Sequence, residues 1–304
     1  MRTLLTLAAG LLAAPSAAET PVPSPGELVA KASASDWTAI APADLLVMDL
    51  SPDAKGADRR VVIQLMPAPF AQDWIGNIRK LAAAKWWDGL AVNRVQDNYV
   101  AQWGDPDGED KAKAKSLPPG LTKPSADGYY HLRVKSYRAP RQPRAKIDPY
   151  AEAYGYDGGF PSASDATGTW PVHCYGMVGV GRDMPPDTGS GAELYTVIGH
   201  APRHLDRNIA LVGRVIEGIE HLSSLPRGTG PLGFYATAEE RTAIRSIRIG
   251  SDVSGLAAYQ YLSPASASFK AYAEARANRR DAFFVTPAGG ADICNLPVPV
   301  RRVP

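Results

Sequence analysis

Among the 304 residues, one cation sits where a cation is costly: Arg94 lies among the apolar residues Leu90, Val92, Val95, Tyr99 and Val100, in a stretch that reads as a strand. A guanidinium carries five donors on a rigid plane and needs acceptors if it is buried. Such an arginine is either a surface residue on the polar face of a half-buried strand or a donor aimed at a ligand. Gln102 follows Tyr99 and Val100 closely, and a second apolar strand carries Tyr195, with Leu205 beyond it. An arginine beside an aromatic-lined hollow can bind the carbonyl or amide of a small apolar group. Proline is a natural candidate.

Other chemistries lack their signatures. There is no G-x-S-x-G elbow, no H-E-x-x-H pair and no Walker A loop. The five histidines are scattered, and His200 and His204 flank Pro202 rather than sharing a helix face. GMVGVG at 176–181 lacks the third glycine of a dinucleotide fingerprint, so its glycines read as close backbone packing. No metal and no cofactor is expected. A formal charge of +2 with 21% charged residues does not ask for nucleic acid, and 27 prolines with 28 glycines imply turn-rich loops.

The elements that would position these residues follow from periodicity. Leu45–Leu50 and Val61–Leu65, around a Pro-, Gly- and Asp-containing turn, read as a hairpin. Trp74, Ile75, Ile78, Leu81 and Ala82 share one face of a helix over 71–84, opposite Asp73, Asn77, Arg79 and Lys80. Strands are expected at 194–198, 209–215 and 244–249, with a possible strand over 129–137. Helices are expected over 217–225 and over 269–279, the latter starting near Pro264 and Ser266. The rest of 106–172, with its basic runs, reads as long surface loops. Strands in closely spaced pairs favour an antiparallel sheet or barrel with a few helices, a mainly β protein.

Met1-Arg2, the apolar run Leu4–Ala14 and the small residues Ser16-Ala17-Ala18 match a secretory signal peptide over 1–18, a short membrane anchor being the alternative. No other run is long and apolar enough to span a bilayer. A periplasmic, oxidising location would suit the two cysteines: Cys174 and Cys294 are expected to form one disulfide, or else to remain as two buried thiols.

Three blocks, in order, resemble the cyclophilin-type peptidyl-prolyl cis-trans isomerases. WWDGLAVNRV resembles the family's YYDG-x-x-FHRV, NYVAQWGDP its GFM-x-QGGDP, and GAELYTVIGHAPRHLDRNIALVGRVIEG its GSQFFI…P-x-LDG-x-x-x-VFG-x-V-x-EG. The resemblance implies a closed eight-stranded antiparallel β-barrel capped by helices, with a proline pocket on its outer face. It implies Arg94 as the catalytic arginine. It implies Tyr99, Val100, Tyr195 and Leu205 as pocket walls, Gln102 as the contact to substrate backbone, and His204 where the family often has tryptophan. The chain departs from the pattern at Asn93, Trp103, Gly181-Arg182, Glu193 and Ile209.

The expected organisation is a leader at 19–43, a barrel domain at 44–225 with a long loop insertion at 106–172, and a C-terminal extension at 226–304 packed on the barrel. The expected function is isomerisation of X–Pro bonds in proline-containing peptides and unfolded exported proteins. The departures motivate an alternative, a cyclophilin-fold peptide-binding or chaperone module with little or no isomerase activity.

Overall fold

The computed structural model describes residues 22–131, 137–138 and 148–303. The signal-peptide expectation, and most of the basic run at 138–146, lie outside these residues. A short helix α1 (Pro25–Ala30) starts at Ser24, whose side chain accepts from the Glu27 N–H in a capping box. Strand β1 (Trp37–Ile40) follows, then the hairpin β2 (Leu45–Leu50) and β3 (Arg59–Leu65), and helix α2 (Gln72–Ala83). Next come β4 (Ala91–Val95) and β5 (Val100–Gly104), then β6 (Tyr137–Arg138), β7 (Ala153–Asp157), β8 (Phe160–Asp165) and β9 (Gly168–Pro171). The chain continues through β10 (Met177–Val180), β11 (Leu194–Val197), β12 (Leu211–Glu217) and helix α3 (Glu220–Ser223). It ends with β13 (Thr242–Ile249), β14 (Tyr259–Leu262), helix α4 (Ala267–Ala277) and β15 (Val300–Arg302).

Eight strands close into an antiparallel barrel in the order β10-β11-β5-β4-β13-β2-β3-β12. Its interior is apolar because alternate residues of each strand point inward. Met48 from β2, Ile63 from β3, Trp103 from β5, Leu194 from β11, Val212 from β12 and Ile247 from β13 are all buried in one core. The face of α2 carrying Trp74, Ile75, Ile78 and Leu81 adds to the same core.

Three expectations need correction. The barrel does not end at 225, because β13 is the staple between β2 and β4 and the cylinder cannot close without it. The leader is part of the fold: β1 pairs with β14, which pairs with β15, in a separate three-stranded sheet. The insertion is not mainly loop. Strands β6-β7-β8-β9 form a four-stranded sheet with Tyr156, Phe160, Ala163 and Trp170 buried in the main core. Its turn, Gly158-Gly159, has both φ angles positive, the geometry a two-residue hairpin requires. Over 129–137 there is a 3₁₀ turn ending at Tyr129 and a single bridge from His131 to Thr169.

These additions are tied down by specific contacts. The Tyr156 hydroxyl donates to the Leu296 carbonyl at 2.7 Å, and its ring meets Phe269 of α4 edge-on at 5.0 Å. Asn77, expected on the wet side of α2, is fully buried. Its amide nitrogen donates to the carbonyls of Thr122 and Ser190 at 2.8 and 2.9 Å, clamping the insertion to the helix. Cys174 and Cys294 form the expected disulfide, linking the short segment that leads into β10 to the C-terminal segment across 120 residues.

Candidate active site

Arg94 faces outward because of an irregularity in β4. Val92 and Arg94 are two apart and in a regular strand would share a face. Val92 pairs with Trp103 and Arg94 with Gln102, so Asn93 is an extra residue between consecutive partners. This bulge keeps Val92 in the barrel core and turns Arg94 to the outside. The pairing continues laterally: Gln102 lies opposite Tyr195, and Tyr195 opposite Gly179. Arg94, Gln102, Tyr195 and Gly179 therefore form one row across four neighbouring strands, about 4.8 Å apart per strand.

Around that row lies a hollow of about 650 Å³ lined by Arg94, Tyr99, Val100, Gln102, Tyr195 and Leu205, together with Ile209, Glu193 and Phe234. Val100, Tyr195 and Val197 form its apolar base, with Tyr99 and Ile209 packed against them. Gly179 explains the glycine run at 176–181, since a Cβ there would collide with the Tyr195 ring and hydroxyl. His204 is exposed on the short turn Arg203–Leu205 and is not among the residues lining the hollow. Its neighbour Leu205 takes the inward position.

Arg94 is half-buried, and desolvation pulls its pKa below the ordinary arginine value. Its Nε–H donates to the Leu232 carbonyl at 2.8 Å, Nη1 to Gln102 Oε1 at 3.2 Å, and Nη2 to Gln96 Oε1. Three of five N–H groups are so engaged, leaving two for a ligand. The guanidinium also lies 5.6 Å from the Tyr99 ring centroid and 5.2 Å from that of Phe234. Phe234 was missed in sequence because it belongs to the segment placed outside the barrel. It bridges directly to Arg94 as the chain returns toward β13.

The tyrosine at 195 has a physical explanation. Its ring floors the hollow while its hydroxyl turns inward to His173 Nε2 at 2.9 Å. The Asp206 carboxylate can only accept, so His173 Nδ1–H donates to Asp206 Oδ1 at 2.8 Å, which makes Nε2 the acceptor for the Tyr195 hydroxyl. Asp206 also accepts from Arg203 Nε at 2.6 Å, and Arg203 Nη1 donates to Asp148 at 3.1 Å. A buried polar chain thus runs under the apolar floor. Glu193 lines the same hollow, and its Oε1 accepts from the Asp105 N–H at 2.6 Å. Burial pushes its carboxyl up to about 7, against the opposing pull of that N–H and of the Asn93 and Gln102 side chains.

Among the described residues no group of histidine, cysteine and carboxylate side chains is placed to hold a metal ion, and no helix is long and apolar enough to cross a membrane.

The sequence matches the family described as cyclophilin type peptidyl-prolyl cis-trans isomerase/CLD over residues 57–249, nearly two-thirds of the chain, a span that ends with β13. The chain belongs to this family. Family and fold together support peptidyl-prolyl cis-trans isomerase activity. Among solved structures, the cyclophilin AquaCyp293 from Hirschia baltica superposes with a TM-score of 0.63 at 21% identity, covering 87% of this chain and 92% of that one. That likeness extends over the barrel and much of its additions, and it speaks to the fold. A Cryptosporidium parvum cyclophilin type isomerase, determined in the presence of the dipeptide Ala-Pro, gives a TM-score of 0.38 at 13% identity, covering 67% of this chain and 98% of that one. No curated protein matches the sequence.

Proposed function

We propose that the protein accelerates X–Pro isomerisation by donating a hydrogen bond from Arg94 to the prolyl nitrogen in the transition state. Amide resonance opposes the rotation with a barrier of roughly 18–20 kcal/mol. A donor at the nitrogen favours its pyramidal form and weakens that resonance only in the twisted state, so it stabilises the transition state selectively. No covalent step is required. Val100, Tyr195, Leu205 and Tyr99 hold the proline ring in an apolar hollow. Gln102, whose oxygen is engaged by Arg94, offers its amide N–H groups to the neighbouring backbone.

The observation that carries this reading is the lateral row of Arg94, Gln102 and Tyr195 on the barrel's outer face, with two guanidinium N–H groups uncommitted. The proposed clients are exported proteins in a periplasmic compartment, a reading supported by the leader composition at 1–18 and by the Cys174–Cys294 disulfide. A proline-peptide isomerisation assay tests the mechanism. Wild type is expected to exceed the uncatalysed rate, and Arg94→Ala to lose about 10²–10³-fold in kcat/KM. A wild type no faster than the uncatalysed reaction would leave the alternative, a peptide-binding module on the same fold. An active wild type matched by Arg94→Ala would remove the role of the arginine.

A further inference from the structure

Behind the turn that supplies Leu205 lies a second cavity, of about 510 Å³, where three parts of the chain meet. The insertion contributes Tyr150 and Tyr154, the barrel contributes Tyr175 and Arg203, and the C-terminal segment contributes Ala291 and Cys294. Its volume is that of a ligand site rather than a packing defect. The walls combine tyrosine rings and small side chains with the polar groups of Asp148, His200, Asp292 and Asn295, and the Cys174–Cys294 disulfide holds the C-terminal wall to the barrel.

Arg203 gives this cavity its chemistry. It is 93% buried (7% exposed) and lies under the Tyr150 ring, 5.0 Å from the centroid. Nε donates to Asp206 and Nη1 to Asp148, but the buried Nη2 has no acceptor among the described residues. A buried guanidinium N–H without a partner is unfavourable, and an acceptor oxygen brought beside it would relieve that cost. The carboxylates of Asp148 and Asp206 already engage Arg203, and a third, Asp292, lines the same cavity, so an anionic oxygen would be repelled and a neutral peptide carbonyl accepted. The flat walls suit an aromatic side chain next to that carbonyl.

The two hollows share one turn. Arg203 lines the cavity and Leu205, two residues on, lines the proline hollow, so their Cα atoms are at most about 7 Å apart. An extended chain spans such a separation in a few residues at about 3.3 Å each. Asp206 holds Arg203 on one side and His173, the anchor of Tyr195, on the other. The two sites are therefore parts of one rigid polar network.

We propose that this cavity is a second substrate subsite, taking an aromatic side chain and its adjacent backbone carbonyl from the same peptide whose proline occupies the Arg94 hollow. The subsite rests on the proline-binding reading above for its partner site. Peptides carrying one phenylalanine stepped from about two to about six residues from the proline, on either side, test it against an all-alanine peptide. One spacing is expected to lower KM about tenfold, the worth of burying part of an aromatic ring. Tyr175→Ala, at an exposed position, and Ala291→Trp, which fills the cavity, should each abolish that gain while leaving turnover of the alanine peptide unchanged. A gain at no spacing, or one that survives Ala291→Trp, would overturn the proposal. Free N-acetylphenylalanine amide reads the cavity without any proline. Amide chemical-shift changes centred on Tyr150, Tyr175 and Ala291 support the subsite, and their absence overturns it, whatever the isomerase assay gives.

Discussion

Tyr195 has two jobs that one substitution can separate. Its ring floors the hollow beside Arg94, and its hydroxyl ties that floor to His173 and Asp206. Tyr195→Phe keeps the ring and leaves His173 Nε2 without its partner. The expected result is a loss of about 1–3 kcal/mol in urea-induced unfolding, with isomerase turnover close to wild type. A collapse of turnover comparable to that of Arg94→Ala would mean that the hydroxyl itself acts on substrate. Glu193 gives a pH signature. Its folded pKa of about 7 lies above the ordinary 4.5, so between these values the folded state holds a proton that the unfolded state has lost. Stability from this group is fully present below about pH 4.5 and is lost as pH rises through about 7. Glu193→Gln should therefore flatten the decline, with a relative gain on the order of 2–3 kcal/mol at about pH 8 over about pH 5. Urea midpoints at both pH values check this. Equal differences at the two would show that Glu193 is solvated.

At the scale of elements, the barrel is joined to its additions through Arg214 of β12. The side chain is buried, donates twice to Gln64 Oε1 on β3 at 3.0 and 2.8 Å, and donates to the Gly159 carbonyl of the insertion hairpin at 2.9 Å. It lies 4.9 Å from the Phe160 ring centroid and 5.7 Å from that of Tyr261 on β14, and burial lowers its pKa to about 10. One side chain thus touches the barrel, the four-stranded sheet and the three-stranded sheet. Arg214→Met keeps most of the volume but leaves Gln64 and the Gly159 carbonyl unpaired, at an expected cost of about 2 kcal/mol or more. Thermal unfolding should show it, and an unchanged Tm would mean that the additions are held by other contacts. The hairpin that Arg214 grips was legible in principle: Tyr154, Tyr156 and Phe160 flank an Asp-Gly-Gly turn. The surrounding lysine- and proline-rich composition obscured it. The bulge at Asn93 was not legible, because strict alternation puts Val92 and Arg94 on one face and only the partner strand reveals the extra residue.

At the scale of the molecule, closure depends on a strand far along the chain. β13 is inserted between β2 and β4, and the segment just before it brings Phe234 to Arg94. A chain ending at residue 225 is expected to lose its cooperative thermal transition and its isomerase activity together, because two barrel strands would be left with open edges. A folded, active product from that shortened chain would refute the closure argument. Beyond β13, the disulfide closes a loop of 120 residues, which restricts the unfolded chain by about 4–5 kcal/mol in the chain-entropy picture.

The sequence alone determined the parts whose signals are local. The β2–β3 hairpin, the apolar face of α2, the cap of α4 at Ser266 and the isolated cysteine pair were readable because hydrophobic period, turn residues and capping act over a few positions. Blocks of residues in order also singled out Arg94, Tyr99, Gln102 and Tyr195, which the fold brings around one hollow. Tertiary structure decided what depends on distant partners. The bulge chose the face on which Arg94 stands, and β13 decided where the barrel ends. The turn after Pro202 put Leu205 into the hollow and left His204 in solvent. Each of those outcomes is set by strand pairing and close packing between segments far apart in sequence, which no local pattern encodes.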